Sequence, residues 1–338
     1  MKSRLVELLC CPEDGLELRL VSYASSGDEV RDGALVCEKG HSYPIINYIP
    51  RFVRSDQYVK SFSVEWLLHA KTQYDSVTGL RNSEQSFLYK TGFKPWELRG
   101  KLVLDAGCGS GRFIEVCKGF GAEVIGMDMS FAVDGALSVL GLDENVHLIQ
   151  ADIMNPPFKS ETFDYIFSIG VLHHTPDPKH AFIKLCNLLK PGGRVAIWVY
   201  PDEGFWVKLM NRIGAIYRVL ARSMTLHTLY NVCREVQRRA WIPRILLESG
   251  DLDPRKTLST GYHHPKQVVY LLFPFFSLAP TLEWRVLDTF DYLSPRFQSK
   301  HLWREVALWF KEAGMTDIRK LPVPISVSGS KPMTGGKG

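Results

Sequence analysis

No stretch of this 338-residue chain approaches the roughly 20 apolar residues of a membrane-spanning helix. The longest, Val268 to Pro280, is about 13 residues and is broken by Pro274. A secretory leader pattern is missing too, because Lys2, Arg4 and Glu7 put charges where an apolar core would lie. Cysteine is sparse, with seven residues scattered along the chain, which does not make a secreted disulfide framework. Neither sign of charge dominates: 41 Lys and Arg stand against 36 Asp and Glu. What remains, at 45 % hydrophobic and 12 % aromatic, is expected to be a cytoplasmic enzyme with one full α/β domain plus appendages.

The most informative stretch is residues 102 to 113, Leu-Val-Leu-Asp-Ala-Gly-Cys-Gly-Ser-Gly-Arg-Phe. Lys101 to Leu104 read as a buried parallel strand, and Phe113 to Phe120 carry apolar residues at helical spacing. Between them Gly107, Gly109 and Gly111 permit a turn in which a ligand approaches the main chain, at the carboxyl edge of an open sheet. Further strands are expected at Glu123 to Met127, Val146 to Gln150, Thr162 to Ile169 and Arg194 to Tyr200. Strands alternating with helices predict an α/β, Rossmann-like, doubly wound parallel sheet. Asp128, 21 residues after Gly107, is placed to bond a ribose, and Asp152 with Ile153 to flank an adenine. A nicotinamide-binding turn is the competing reading. That fingerprint asks for its third glycine where Arg112 stands, and for a phosphate site where Asp105 precedes the glycines.

These segments, with Phe-Asp-Tyr-Ile-Phe-Ser-Ile-Gly-Val-Leu-His-His (163 to 174) and Leu-Lys-Pro-Gly-Gly-Arg (189 to 194), resemble the class I S-adenosylmethionine-dependent methyltransferases. The likeness is greatest to the branch of quinone C-methyltransferases and small-molecule O-methyltransferases, closely over residues 100 to 200 and loosely over 300 to 330. It implies a seven-stranded sheet whose last strand is antiparallel, with S-adenosyl-L-methionine as cofactor. By the same resemblance Asp105 faces the methionine amino group, and Gly107, Gly109, Gly111, Asp128, Met129, Asp152, Ile153 and Ser168 complete the cofactor site.

Residues 1 to 55 form a small leading domain, strand-poor in pattern, around Cys10-Cys11-Pro12-Glu13-Asp14 and Cys37-Glu38-Lys39-Gly40-His41. It resembles the zinc-ribbon-like domain that precedes some methyltransferases, including certain ribosomal RNA guanine methyltransferases, and that occurs as a free methyltransferase activator. A full ribbon presents four Cys or His donors; here the set is Cys11, Asp14, Cys37 and His41. Two readings stand, a structural zinc site and a metal-free scaffold folded around Leu16, Leu18, Leu35, Ile45 and Ile49.

Residues 56 to 100 read as a helical lead-in, 101 to 200 as the cofactor-binding core and 201 to 300 as a helical insertion carrying acceptor specificity. Residues 301 to 328 close the core with a helix, Leu302 to Ala313, and a hairpin, Thr316 to Leu321 with Ile325 to Ser328; residues 329 to 338 read as a disordered tail. Within the insertion, Phe205 to Arg222 is an amphipathic helix. From Asp202 to Lys256 ten Lys or Arg face six Asp or Glu, with Arg234, Arg238, Arg239 and Arg244 around Trp241. The segment suits a lid over a small-molecule or lipid-linked acceptor, ahead of a peripheral membrane contact or an RNA surface. Oxygen is the expected acceptor atom, and an acceptor hydroxyl needs a base. His173, at the end of the fourth strand, is expected to face the pocket, with His174 structural and His263, His264 and His301, together with Asp291 and Tyr292, as lid-side alternatives. A catalytically silent cofactor-binding regulator is the reading outside enzymology.

Overall fold

A computed structural model describes residues 1–53, 60–239, 275–277 and 279–333. The chain opens with a 3-10 turn, Ser3–Leu8, and then builds a four-stranded antiparallel sheet: β1 Leu18–Ser26, β2 Glu29–Cys37, β3 Ser42–Ile46 and β4 Ile49–Pro50, paired in that order. This corrects the strand-poor expectation. Only one face of the sheet is apolar, and β1 is bulged between Ser22 and Ser25 against β2, so the two-residue alternation is diluted by small polar residues. The sheet is not a separate body. Leu5, Leu9, Leu35 and Ile45 share one apolar core with Leu104, Ile149, Phe158 and Phe163 of the region behind it. Arg51 then ties the two together, donating to both Asp134 carboxylate oxygens at 2.7 and 3.0 Å and to Gln150 at 2.8 Å.

Four helices lead in: α1 Lys60–Leu68, α2 Asp75–Thr78, α3 Asn82–Thr91 and α4 Pro95–Leu98. The main sheet follows as β5 Leu102–Ala106, β6 Glu123–Asp128, β7 Val146–Gln150, β8 Phe163–Ile169 and β9 Leu189–Trp198, all parallel. Helices α5 Arg112–Gly119, α6 Ala132–Leu140 and α7 Pro178–Asn187 alternate with them. The carboxyl-terminal hairpin, β10 Thr316–Lys320 and β11 Ser326–Ser330, completes seven strands in the order β10-β11-β9-β8-β5-β6-β7. β11 runs antiparallel to β9. This is the class I methyltransferase fold. Two boundaries differ from the sequence reading. β9 begins five residues early and absorbs the Pro191-Gly192-Gly193 turn as an irregular register. The expected tail begins too soon, since Gly329 and Ser330 pair with Val195 and Arg194 in the sheet.

Successive residues of the central strands point to opposite faces. Val103, Val124, Phe167 and Ala196 pack with Phe87, Phe93 and Phe113. Their neighbours Leu104, Ile125, Ile166 and Val195 pack with Phe182, Leu185, Trp309 and Phe310. Each such side chain contributes about 1.5–3 kcal/mol, so the sheet is held from both sides. The strand order reverses between β5 and β8, the switch point at whose carboxyl ends α/β sheets bind ligands.

Over that edge lie α8 Phe205–Ala221, α9 Leu226–Arg239 and α10 Leu282–Leu293, joined through Ala221, Leu229, Cys233, Val286 and Phe290. α10 follows Thr281, whose hydroxyl caps it by accepting from the Trp284 amide at 3.2 Å. α11, Trp303–Glu312, ends before Gly314 in a left-handed conformation, as the sequence predicts.

Candidate active site

A cavity of about 480 Å³ opens at the switch point. One half is lined by Gly107, Gly109, Met127, Asp128, Met129, Asp152 and Ile153. The glycine turn is pinned by two amides, Gly107 and Cys108, which both donate to the Met127 carbonyl at 2.7 and 3.1 Å. Gly109 lies under the Trp66 ring. Asp128, at the end of β6, accepts from the Gly109 amide at 2.9 Å and from the Ser130 amide and hydroxyl at 2.8 and 2.7 Å. Its carboxylate is thereby oriented, and burial still raises its pKa. Asp152 accepts from the Met154 amide at 2.9 Å, which fixes the turn carrying Ile153. Asp105 sits behind the glycines, 1 % exposed, with one carboxylate oxygen lacking a partner. Burial, with Asp128 adding, holds its pKa well above the usual range. A cationic ligand group is what such an oxygen accommodates.

The other half of the cavity is lined by Glu65, Lys90, Arg112, His174, Trp198, Tyr200, Asp288 and Asp291. His174 offers the clearest tautomer: its Nδ1 must donate to the Phe297 carbonyl at 2.8 Å, which leaves the Nε2 lone pair free of any partner. Burial pushes its pKa down to about 4, so the ring is neutral at physiological pH. Tyr200, at the end of β9, donates to Asp291 at 3.3 Å. Asp291 is pushed up to about 7, by burial first and by Asp288 second. The Lys90 ammonium rests 3.7 Å from the Trp198 ring centre and is lowered to about 7, by burial first and by Arg112 second.

Four of the expected site residues do not line the cavity: Asp105, which lies behind the glycines, Gly111, Ser168 and His173. Ser168 is fully buried and donates its hydroxyl to the Ala106 carbonyl at 2.8 Å, bracing β5 against β8 instead of meeting the cavity. His173, expected to face the pocket, is 0 % exposed and stacks on Tyr200 with ring centres 3.9 Å apart, while His174 takes the cavity wall. Both belong to a 3-10 turn, Leu172–His174, where three residues per turn send neighbouring side chains in directions that the sequence does not fix. His301 spends both ring nitrogens, on Ser299 at 2.7 Å and Glu305 at 2.9 Å. His263, His264, Trp241 and Arg244 lie outside the described residues. Cys11, Asp14, Cys37 and His41 do come together, with their donor atoms within 4.8 Å of one another.

Sequence reasoning missed Glu65, Lys90, Arg112 and Asp288. Glu65 is 0 % exposed and neither carboxylate oxygen has a partner. Burial, reinforced by Asp291, Asp288 and Asp128, raises its pKa well above the usual range. A carboxyl raised in this way adds full stability only below its unfolded-state pKa, and that stability is lost as pH rises through the folded value. Glu65→Gln is therefore expected to be more stable than the parent at about pH 8 by about 1–3 kcal/mol, with little difference at about pH 5. Thermal unfolding at both pH values checks this; parallel pH profiles for the two proteins would refute it.

Residues 104–197 match the family model of the methyltransferase domain. This chain carries a class I S-adenosylmethionine-dependent methyltransferase domain. Its cofactor follows from the family: S-adenosyl-L-methionine. The methyltransferase region is 37 % identical over 111 residues to a tRNA U34 carboxymethyltransferase of Pseudoalteromonas translucida (strain TAC 125), covering 32 % of this chain and 34 % of that protein. Over 171 residues it is 27 % identical to a ubiquinone biosynthesis O-methyltransferase of Salmonella arizonae, covering 49 % of this chain and 67 % of that one. A solved S-adenosylmethionine-dependent methyltransferase from Mesorhizobium loti is 28 % identical over 30 % of this chain and 47 % of its own, with a TM-score of 0.28. The chain thus spans about a third of the length of the first curated relatives it matches.

Proposed function

We propose that this protein transfers a methyl group from S-adenosylmethionine to a hydroxyl oxygen of a small or lipid-linked acceptor. The observation that carries the reading is the continuity of the cavity, in which the glycine turn and Asp128 share one enclosed space with His174, Tyr200 and Asp291. Asp128 would hold the ribose hydroxyls, Asp152 and Ile153 the adenine, and Asp105 the amino group.

The bound cofactor supplies a sulfonium methyl already activated for transfer. The chain must hold an oxygen in line with it, keep water out and remove one proton. Asp291, with a pKa near neutrality, suits that last task, and the Nε2 lone pair of His174 is free to orient the acceptor hydroxyl. Phe62, Trp66, Trp284 and Tyr292 make the surrounding wall largely aromatic, which favours a planar or lipid-like acceptor.

One observation favours the lipid-linked form of the reading. α8 contains no Asp or Glu, and it exposes Phe205, Ile216 and Val219 at 72, 63 and 65 % beside exposed Lys208 and Arg212. An apolar, cationic face of this kind suits an anionic bilayer from which an acceptor is drawn. Among the described residues no helix is long and apolar enough to cross a membrane.

The test is transfer of labelled methyl from S-adenosylmethionine to a cell extract separated into RNA, lipid and small-molecule pools. Label in the lipid or small-molecule pool is expected. Label confined to RNA would overturn the choice of acceptor, and no label in any pool would favour the regulator.

A further inference from the structure

Helix α1 turns one face to the cavity. Phe62, Glu65 and Trp66 stand at i, i+3 and i+4 on it, and all three line the space. Phe62 sets its ring edge-on to His174, with centres 5.2 Å apart, which ties the helix to the half of the cavity that holds Tyr200 and Asp291. Trp66 ties it to the other half, lying 3.1 Å from where a Cβ on Gly109 would stand. The Ser63 hydroxyl adds a second tie there by accepting the Phe131 amide at 3.2 Å, just beyond the Asp128 turn. Glu65 is thereby held where the two halves meet. Its carboxyl feels Asp128 of β6 as well as Asp288 and Asp291 of α10.

Nothing in the chain answers that carboxyl. It is 0 % exposed, neither oxygen has a hydrogen-bond partner, and the charges that act on it are all negative. His69, one turn further along α1, is spent on the Thr72 hydroxyl at 3.2 Å and the Tyr230 hydroxyl at 3.0 Å. Two cations that line the cavity rest on aromatic rings instead, Lys90 at 3.7 Å from the Trp198 centre and Arg112 at 4.4 Å from the Phe113 centre. An acid buried without partner or solvent costs stability, and a ligand that brings a positive charge to it removes the cost.

We propose that Glu65 is the counter-charge to the cofactor's sulfonium, and that through it the site holds S-adenosylmethionine in preference to S-adenosylhomocysteine. The inference rests on the cofactor reading above, which puts the nucleoside against Asp128 and the acceptor against His174 and so places the reacting sulfur between them. A sulfonium has no N–H to donate, which suits a carboxylate placed as a charge and not as one arm of a hydrogen-bond network. Transfer moves the methyl to the acceptor oxygen, leaves the S–C bonding pair on sulfur, and gives the hydroxyl proton to the base. The thioether that remains is neutral, so the attraction to Glu65 ends with the reaction. An interaction stronger in the ground state than in the transition state selects the donor and does not speed transfer.

The test is calorimetry on the full chain at about pH 8 with S-adenosylmethionine, with sinefungin, which carries an ammonium where the methyl stands, and with neutral S-adenosylhomocysteine. The parent protein is expected to prefer both cations over S-adenosylhomocysteine by about tenfold or more. Glu65→Gln is expected to weaken both cations by about tenfold while S-adenosylhomocysteine stays within about twofold, which also reports that the variant is folded. Glu65→Asp, which keeps the charge, should recover part of the preference, and Glu65→Met gives the uncharged comparison if the amide is not tolerated. Equal weakening of all three ligands would make Glu65 a structural residue and overturn the proposal, and an unchanged preference in Glu65→Gln would overturn it while the cofactor reading stands. Failure of the parent protein to bind any of the three overturns the cofactor reading and the proposal together.

Discussion

Replacing Asp291 by Asn is expected to lower kcat by about 10²–10⁴ while S-adenosylhomocysteine affinity stays within about twofold. Asp291 lies on α10, outside the glycine turn, so its loss should not reach the cofactor half of the cavity. It accepts from Tyr200 and titrates near 7 because burial and the neighbouring Asp288 both disfavour its charge. A base must be ionised to act. In the parent protein kcat/KM should therefore rise with pH through about 7 and then level, and this limb should vanish in Asp291→Asn. Tyr200→Phe supplies the sign check. The tyrosine hydroxyl stabilises the ionised carboxylate, so its removal raises the Asp291 pKa further and should move the limb to higher pH. A purely structural role for Asp291 would lower thermal stability and leave the position of the limb unchanged.

The parts of this design that were legible in the sequence are those set by neighbours along the chain. Leu102 to Leu104 declare a strand by being apolar in succession, and the glycines at 107, 109 and 111 declare a turn, where all three take positive φ. Asp128 follows at a spacing that a β-α-β unit imposes. The half of the cavity lined by Glu65, Lys90 and Asp288 obeys no such spacing. Glu65, Lys90 and Asp288 come from three helices, and on an amphipathic helix a charged residue ordinarily faces water. Only Glu65 left a local trace, an acid set among Phe62, Val64, Trp66, Leu67 and Leu68. The choice between His173 and His174 was beyond the sequence for a related reason, since it depends on the Phe297 carbonyl, 123 residues away. In the leading domain the metal-type donors were readable by spacing, whereas its sheet was not, because β1 buries one edge of its pattern and fills the rest with Ser and Ala.

Gly107→Ala is expected to weaken S-adenosylmethionine binding by at least about 100-fold, for two separable reasons. Gly107 has φ +90°, a conformation that strains any residue with a Cβ by about 1–2 kcal/mol. The added Cβ would also stand 2.4 Å from both Val171 methyl groups, so Val171 would have to move. Val171 opens the turn that carries His174, and the Gly107 amide anchors the cofactor turn to β6, so one methyl group disturbs both halves of the cavity. The double variant Gly107→Ala/Val171→Ala removes both methyl contacts but keeps the residue 171 Cβ, 2.8 Å from the added Cβ, and the φ. It should recover part of the binding, and the unrecovered part measures the backbone strain together with that remaining contact. Gly119→Ala is the control. It sits at the end of α5 with nothing within 4 Å of a Cβ and should leave cofactor affinity unchanged. Equal losses in Gly107→Ala and Gly119→Ala would mean that glycine content, and not the turn geometry, limits binding. Full affinity in Gly107→Ala would remove the glycine turn from the cofactor site altogether.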